Sequence, residues 1–180
     1  MTAAWTALLP LKPSAERKTR LAARLSPAQR ITLTETLLAR AVAALRACPK
    51  ISDIRLLTAS PEYWPISYIL DHGRGLNAEL QAVRQGRGGN VLVIFPDLPF
   101  VTADDISALL AAAGSAPVIA PDRHGTGTNA IALPDDVPFT FAFGEDSFAA
   151  HAAQGNVQAR PGLAFDIDTS EDFDASGLEI

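Results

Sequence analysis

Three aspartates carry the strongest chemical signal in this sequence. Asp97 closes the apolar run Val91-Leu92-Val93-Ile94-Phe95 and stands between Pro96 and Pro99, while Asp166 and Asp168 lie two apart in Ala164-Phe165-Asp166-Ile167-Asp168-Thr169. Carboxylates two residues apart on an extended chain face the same side, as two carboxylates sharing a hard cation must. Together with Asp97 they form a candidate three-carboxylate metal site. Taken alone, Asp97 is equally compatible with a residue that starts a turn.

The complementary charge lies in Lys12-Pro13-Ser14-Ala15-Glu16-Arg17-Lys18-Thr19-Arg20, directly after an apolar run, Trp5 to Leu11, that reads as a first strand. A basic loop in that place suits the phosphates of a nucleotide in an α/β fold. It lacks the glycines and the GK[ST] ending of a P-loop, so phosphate binding would lean on side-chain charge. Lys12, Arg17, Lys18, Arg20 and Arg24 crowd the start of the chain, and Asp166, Asp168, Glu171, Asp172 and Asp174 crowd its end. If the two groups meet in space, they make a site for a metal-bound polyphosphate.

Two polar loops are the next candidates. Asp71-His72-Gly73-Arg74-Gly75-Leu76-Asn77 joins a strand end to a helix carrying Leu76, Leu80 and Val83. Its glycines allow close approach of a flat base or ribose, and a helix start offers N–H groups; the plain alternative is a turn with Asn77 as helix cap. In Asp122-Arg123-His124-Gly125-Thr126-Gly127-Thr128-Asn129-Ala130, Gly125-x-Gly127-x-x-Ala130 formally fits a dinucleotide fingerprint, but Ala130 to Pro134 reads as a strand where the fingerprint needs a helix. The loop is better read as a nest of amides and hydroxyls suited to a phosphate or carboxylate. Phe141-Ala142-Phe143-Gly144 precedes a short helix beginning near Ser147, which can cap it or touch an anion there. His151 has no triad or metal spacing, so packing is its expected role.

These residues need a scaffold of strands and helices. Five apolar residues at 91–95 match a strand buried on both faces of a parallel sheet. Further strands are expected at Ile54 to Thr58, Ile66 to Leu70 (after Pro61 and Pro65), Pro117 to Ala120 and Ala130 to Pro134. Ser26-Pro27-Ala28-Gln29 predicts a capping box and a helix to about Ala47 with Ile31, Leu37, Leu38, Ala41, Val42 and Leu45 inward. Thr102-Ala103-Asp104-Asp105 predicts another capping box, and Ser170-Glu171-Asp172 a last helix start. With 180 residues, 48% hydrophobic and 19% charged, the expectation is one α/β domain over residues 1–180, with a mostly parallel sheet flanked by helices.

A net charge of −5 argues against a nucleic-acid groove. Cys48, the only cysteine, excludes an internal disulfide and a multi-cysteine metal site. The N-terminus shows neither a basic leader nor a sustained apolar segment, so a cytoplasmic protein without a membrane anchor is expected. A homodimer is compatible with the sequence, which does not fix the oligomeric state.

Taken in order, Leu11-Lys12-Pro13 to Lys18-Thr19-Arg20-Leu21, Asp71-x-Gly73-x-Gly75-Leu76-Asn77, Asp97-Leu98-Pro99, Asp122-Arg123-x-Gly125-Thr126-Gly127-Thr128-Asn129, Phe143-Gly144-x-x-Ser147-Phe148 and Pro161-Gly162-Leu163 to Asp166-Ile167-Asp168-Thr169 run over nearly the whole chain. In these motifs the sequence resembles the guanylyltransferases of deazaflavin (coenzyme F-420) biosynthesis, relatives of the molybdenum-cofactor guanylyltransferases. The resemblance implies a nucleotidyltransferase-like, Rossmann-like domain that joins GMP from GTP to a small phosphorylated carboxylic acid and releases pyrophosphate. Acceptors in the family are 2-phospho-L-lactate, phosphoenolpyruvate and 3-phospho-D-glycerate. It implies magnesium on Asp97, Asp166 and Asp168, the triphosphate at Lys12, Lys18 and Arg20, and the nucleotide at Lys12, Asp71, Gly73, Gly75, Leu76 and Asn77. Thr128, Gly144 and Ser147 would hold the acceptor.

The chain departs from the family pattern in two places: Pro96 stands where a small residue usually precedes the metal aspartate, and Glu145-Asp146 where Pro-Gly is frequent. Guanylyl transfer to molybdopterin is a rival reading, but the fuller glycine-rich phosphate loop expected for it is missing. A catalytically idle nucleotide-binding module is another, opposed by the retention of all three aspartates.

Overall fold

A computed structural model describes residues 4–12, 18–59 and 66–180. Within them the strands are β1 (Trp5–Pro10), β2 (Ile51–Thr58), β3 (Ser67–Leu70), β4 (Asn90–Ile94), β5 (Val118–Pro121), β6 (Thr128–Leu133) and β7 (Asn156–Val157). The helices are α1 (Pro27–Ala47), α2 (Leu76–Arg87), α3 (Ala103–Ala112), α4 (Ser147–Ala152), α5 (Pro161–Ala164) and α6 (Ser170–Ser176). Pro13 to Arg17 of the basic loop, and Pro61 and Pro65, lie outside the described residues.

The strands form one sheet in the order β3-β2-β1-β4-β6-β5-β7. Only β6 runs against its neighbours. Period-two alternation explains why both faces are covered. Leu92 and Ile94 join the cluster under α1 and α3, whereas Val91 and Val93 join Leu80 of α2, Phe139 and Phe141 on the other face. Each fully buried side chain of this size stabilises the fold by about 1.5–3 kcal/mol.

α1 begins as its sequence predicts: the Ser26 hydroxyl accepts from the Gln29 N–H and the Gln29 side chain accepts from the Ser26 N–H. Ile31, expected inward, is 39% exposed, and Leu33 is buried instead because it packs with Leu21, Leu25, Leu37, Ile167 and Phe173. That cluster ties the start of the chain to its end. At α3 only half of the predicted capping box forms. The Thr102 hydroxyl accepts from the Asp105 N–H, but the buried Asp105 carboxylate accepts from the Thr102 hydroxyl and from the Arg160 guanidinium. Among the described residues no helix is long and apolar enough to cross a membrane.

Candidate active site at the β1–β4 switch

Strands β1, β2 and β3 step one way across the sheet, and β4 returns to the free side of β1. Open α/β sheets bind ligands in the crevice at the carboxyl ends of the strands where the order reverses. Here those ends are Lys12, after β1, and Asp97, after β4. The β4–β6 ladder ends with the Phe95 N–H donating to the Asn129 carbonyl. Position 96 therefore lies beyond the ladder, and Pro96, lacking an N–H, forfeits no sheet bond there. The turn that follows is held from outside by Arg40 of α1, whose guanidinium donates to the Pro99 carbonyl at 3.2 Å.

Lys18 joins the two ends of the chain. Its ammonium donates to Asp97 Oδ2 at 2.7 Å, to Asp168 Oδ1 at 3.3 Å and to the Ile167 carbonyl. Burial alone would lower the lysine's pKa, but the neighbouring carboxylates of Asp97 and Asp168 more than offset it and hold the group above its ordinary value. Its backbone sits in the left-handed region, φ 51°, a strained conformation for a lysine. Ile167 completes the junction: its N–H donates to the Asp97 carbonyl and its side chain enters the Leu21, Leu25 and Phe173 cluster. Arg24 pairs with Asp174 at 3.3 Å nearby. Lys18 and Arg24 thus meet the acidic end, while Arg20 is exposed on the single 3₁₀ turn Thr19–Leu21.

Asp166 approaches the same cluster. Burial first, then the charges of Asp97 and Asp168, raise its pKa to about 6. The Asn129 amide donates to its Oδ1 at 3.4 Å and to the Leu163 carbonyl at 2.9 Å. Among the described residues, however, no three acidic, histidine or cysteine side chains form a ready metal-ligand group. The expected three-carboxylate set is therefore not preformed, since the Lys18 ammonium stands between Asp97 and Asp168. Asp97 Oδ1, by contrast, is buried with no hydrogen-bond partner among the described residues. A buried carboxylate oxygen left bare beside two further carboxylates has the chemistry of a hard-cation ligand.

The loop before α2 is organised by a residue that spacing did not single out. Glu79, buried in α2, accepts from the N–H groups of His72 and Arg74 and from the Arg74 guanidinium. The Arg74 side chain is the main reason its pKa is held down to about 2. Asp71 accepts from the Gly73 N–H, and Gly73 and Gly75 both take positive φ. Gly75, not Asn77, is the N-cap of α2, and it supplies no side-chain cap. Asn77 makes a two-way bond with the Phe143 backbone: its amide donates to the carbonyl at 2.9 Å and its oxygen accepts from the N–H at 2.7 Å. That bond fixes the segment leading into Gly144 against the start of α2. Phe143 in turn meets Phe95 edge-on, with ring centroids 5.2 Å apart.

The loop after β5 is a nest, but it is filled from within. Asp122 accepts from the N–H groups of His124, Thr126 and Gly127 and from the Thr126 hydroxyl. Burial would raise the Asp122 carboxyl, yet the amides of Thr126, Gly127 and Gly125 outweigh it and lower the pKa. The expected external phosphate or carboxylate is thus replaced at those amides by the chain's own. Thr126 also links this loop to α4, its carbonyl accepting from the Phe148 N–H at the start of that helix. Ser147 is buried as the first residue of α4 and is not its cap; Asp146 holds the N-cap position without a side-chain bond. Asp146 sits at φ 52°, where a glycine would be unstrained, and both Glu145 and Asp146 are exposed. Thr128, buried, lies 2.9 Å from Nδ1 of His151.

Arg123, quoted in the sequence motif without a role of its own, ties the loop after β5 to the end of the chain. It lies over the Phe165 ring, 4.1 Å from ring centroid to guanidinium carbon, and pairs with Asp172. Asp172 accepts from the N–H groups of Asp168 and Thr169, so this chain of contacts anchors the Asp166–Asp168 segment to the loop after β5. Only its place beside the glycine-threonine loop marked it.

A family model described as "Guanylyl transferase CofC like" matches residues 5–174. A phosphoenolpyruvate guanylyltransferase of Sphaerobacter thermophilus is 38% identical over 187 residues, covering 93% of this chain and 90% of that protein. In structure, a protein of Desulfovibrio desulfuricans G20 assigned as a nucleotide-diphospho-sugar transferase aligns with TM-score 0.77 at 14% identity, over 95% of this chain and 85% of that one. A Mycobacterium tuberculosis H37Rv protein solved with manganese aligns with TM-score 0.60 at 14% identity, over 97% and 98%. The structural likenesses establish the nucleotidyltransferase-like fold, and the sequence match establishes membership: the chain belongs to the CofC-like guanylyltransferase family.

Proposed function

We propose that this enzyme transfers GMP from GTP to the phosphate of a small phosphorylated carboxylic acid, with phosphoenolpyruvate as the preferred acceptor, within coenzyme F-420 biosynthesis. The observation that carries the proposal is the junction of Lys18 with Asp97 and Asp168 at the strand switch, where cationic and anionic groups from the two ends of the chain meet. The relatives' name supports phosphoenolpyruvate over 2-phospho-L-lactate and 3-phospho-D-glycerate.

In this reading Lys12, Lys18 and Arg20 face the triphosphate. Asp71, Gly73, Gly75, Leu76 and Asn77 form the guanosine side, with the uncapped start of α2 adding N–H groups. Asn77 acts there by holding Phe143. Thr128, Gly144 and Ser147 hold the acceptor. The bare Asp97 oxygen and the mutually repelling Asp166 and Asp168 fit a divalent cation, which we assign as magnesium. Bound there, magnesium would offset negative charge on the phosphates.

No dedicated base is required. A phosphate monoester with a second pKa of about 6 is largely dianionic at neutral pH, so one of its oxygens can attack the α-phosphorus directly. A P–O bond forms between acceptor and α-phosphorus as the bond to the leaving pyrophosphate breaks. What the protein must supply is positioning of two anions and stabilisation of charge on the equatorial and leaving oxygens. The Lys18 ammonium is suited to that task, being held fully protonated by its neighbours. The test is incubation with GTP, magnesium and each of the three phospho-acids separately. Pyrophosphate release that depends on the acid and is greatest with phosphoenolpyruvate supports the proposal; no release with any of them overturns it.

A further inference from the structure

His151 lies fully buried on α4, outside the carboxylate cluster, and both of its ring nitrogens are engaged. The Ala142 N–H donates to Nε2 at 2.9 Å, and Thr128 Oγ1 lies 2.9 Å from Nδ1. An amide N–H can only donate, so Nε2 must present its lone pair. A neutral imidazole has one ring proton, which then sits on Nδ1 and is donated to Thr128 Oγ1. The imidazolium is disfavoured by the same contact, because an Nε2–H would face another N–H; burial, which lowers the His151 pKa to about 4, acts in the same direction. The ring is held in this orientation by Phe139, stacked at 5.6 Å, and by Phe143, edge-on at 4.7 Å.

We propose that His151 is a positioning residue which commits the Thr128 hydroxyl to donate to an anionic oxygen of the acceptor. The proposal rests on the guanylyl-transfer reading and on Thr128 facing the acceptor. The register supports that placement. The Phe95 N–H donates to the Asn129 carbonyl at the end of the β4–β6 ladder, so Thr128, the residue before Asn129, lies at the end of the sheet from which the Asp97 turn departs. A threonine hydroxyl has one hydrogen. Because Thr128 Oγ1 already accepts from Nδ1–H, its own hydrogen is directed away from the ring. The opposite tautomer would draw that hydrogen to the imidazole and leave lone pairs towards the ligand, repelling a carboxylate or phosphate oxygen. The buried ring thus favours a ligand oxygen that accepts a hydrogen bond from Thr128.

The two side-chain amides separate the roles of the two nitrogens. His151→Asn reaches about as far as Nδ1 and can still donate to Thr128, whereas His151→Gln reaches about as far as Nε2 and satisfies only Ala142. We expect His151→Gln to raise KM for phosphoenolpyruvate about tenfold, as for loss of a hydrogen bond to a charged group, with KM for GTP unchanged. His151→Asn should stay within about threefold of the parent. In a Thr128→Val background, His151→Gln should add nothing. Equal KM changes in the two variants, a matching change in KM for GTP, or additive losses in the double variant overturn the proposal. On the unsubstituted protein, long-range ¹H–¹⁵N spectra at pH 7 should show the Nδ1–H tautomer; an Nε2–H tautomer or an imidazolium overturns it whether or not the variants fold. If the parent protein turns over no phospho-acid, the guanylyl-transfer reading fails, and the spectrum still decides the histidine's state.

Discussion

Replacing Lys18 with methionine tests the junction on which the site depends. Lys18→Met keeps an unbranched chain of similar length at the same left-handed backbone position, so the change is confined to the charge and its hydrogen bonds. The parent ammonium reaches two carboxylates and a carbonyl, and the side chains of Lys18, Asp97 and Asp168 are 10%, 21% and 49% exposed. Breaking a buried ion pair from one side costs about 3–5 kcal/mol, and screening at the half-exposed Asp168 reduces this to about 2–3 kcal/mol. For a chain of this size each kcal/mol moves Tm by about 2–4 °C, which places the loss at about 4–12 °C in EDTA. Magnesium should then recover more stability in the variant than in the parent, because the cation no longer competes with the ammonium. At one hundred times its Kd the gain is about 2.7 kcal/mol, the same size as the loss. Scanning calorimetry of both proteins with and without magnesium reads this directly. A Tm in EDTA within about 1 °C of the parent, or equal magnesium shifts in both proteins, contradicts this role for the Lys18 ammonium.

Two further substitutions examine the loops around the site. Glu79→Gln should destabilise the protein by about 1.5–3 kcal/mol at neutral pH, through loss of charge-assisted bonds to Arg74 and the amides of His72 and Arg74. Because the folded pKa of Glu79 is held at about 2 against an ordinary 4.5, its contribution is complete above about pH 4.5 and is lost as pH falls towards 2. The Tm gap between parent and variant should narrow over that window; a pH-independent gap would contradict the assignment. Asp146→Gly should relieve the left-handed strain at φ 52° and remove a negative charge beside the proposed acceptor side, stabilising by about 0.5–1 kcal/mol and lowering KM for the acceptor. Denaturant melts and acceptor titrations check both effects, and a destabilised variant with unchanged KM would count against them.

Much of this architecture was legible because its signals are local. The strand over 91–95 alternates between two buried faces, and Asp97 follows it between prolines, so the placement of Asp97 just past a strand end could be read from the sequence. Asp166 and Asp168 flank Ile167, whose buried side chain turns theirs the other way. Contacts between distant segments could not be read. The amides near Gly125 and Gly127 look free in sequence, but Asp122 occupies them, and Glu79 does the same for the loop over 71–75. Asn77 looked like a cap, yet its amide is spent on Phe143, 66 residues away in the chain. The position of Lys18 between two carboxylates is likewise set by long-range packing of Leu21 and Leu25 on Ile167 and Phe173. Charge asymmetry hinted at that meeting without specifying which pairs would form.

In the proposed reaction an acceptor phosphate oxygen attacks the α-phosphorus of GTP. Phosphoenolpyruvate labelled with ¹⁸O in its phosphate, incubated with GTP, magnesium and the enzyme, tests it by mass spectrometry of both products. The expected nucleotide product contains GMP joined to the phospho-acid and retains the label, and the pyrophosphate is unlabelled. Label in the pyrophosphate, or consumption of GTP without such a conjugate, would contradict it.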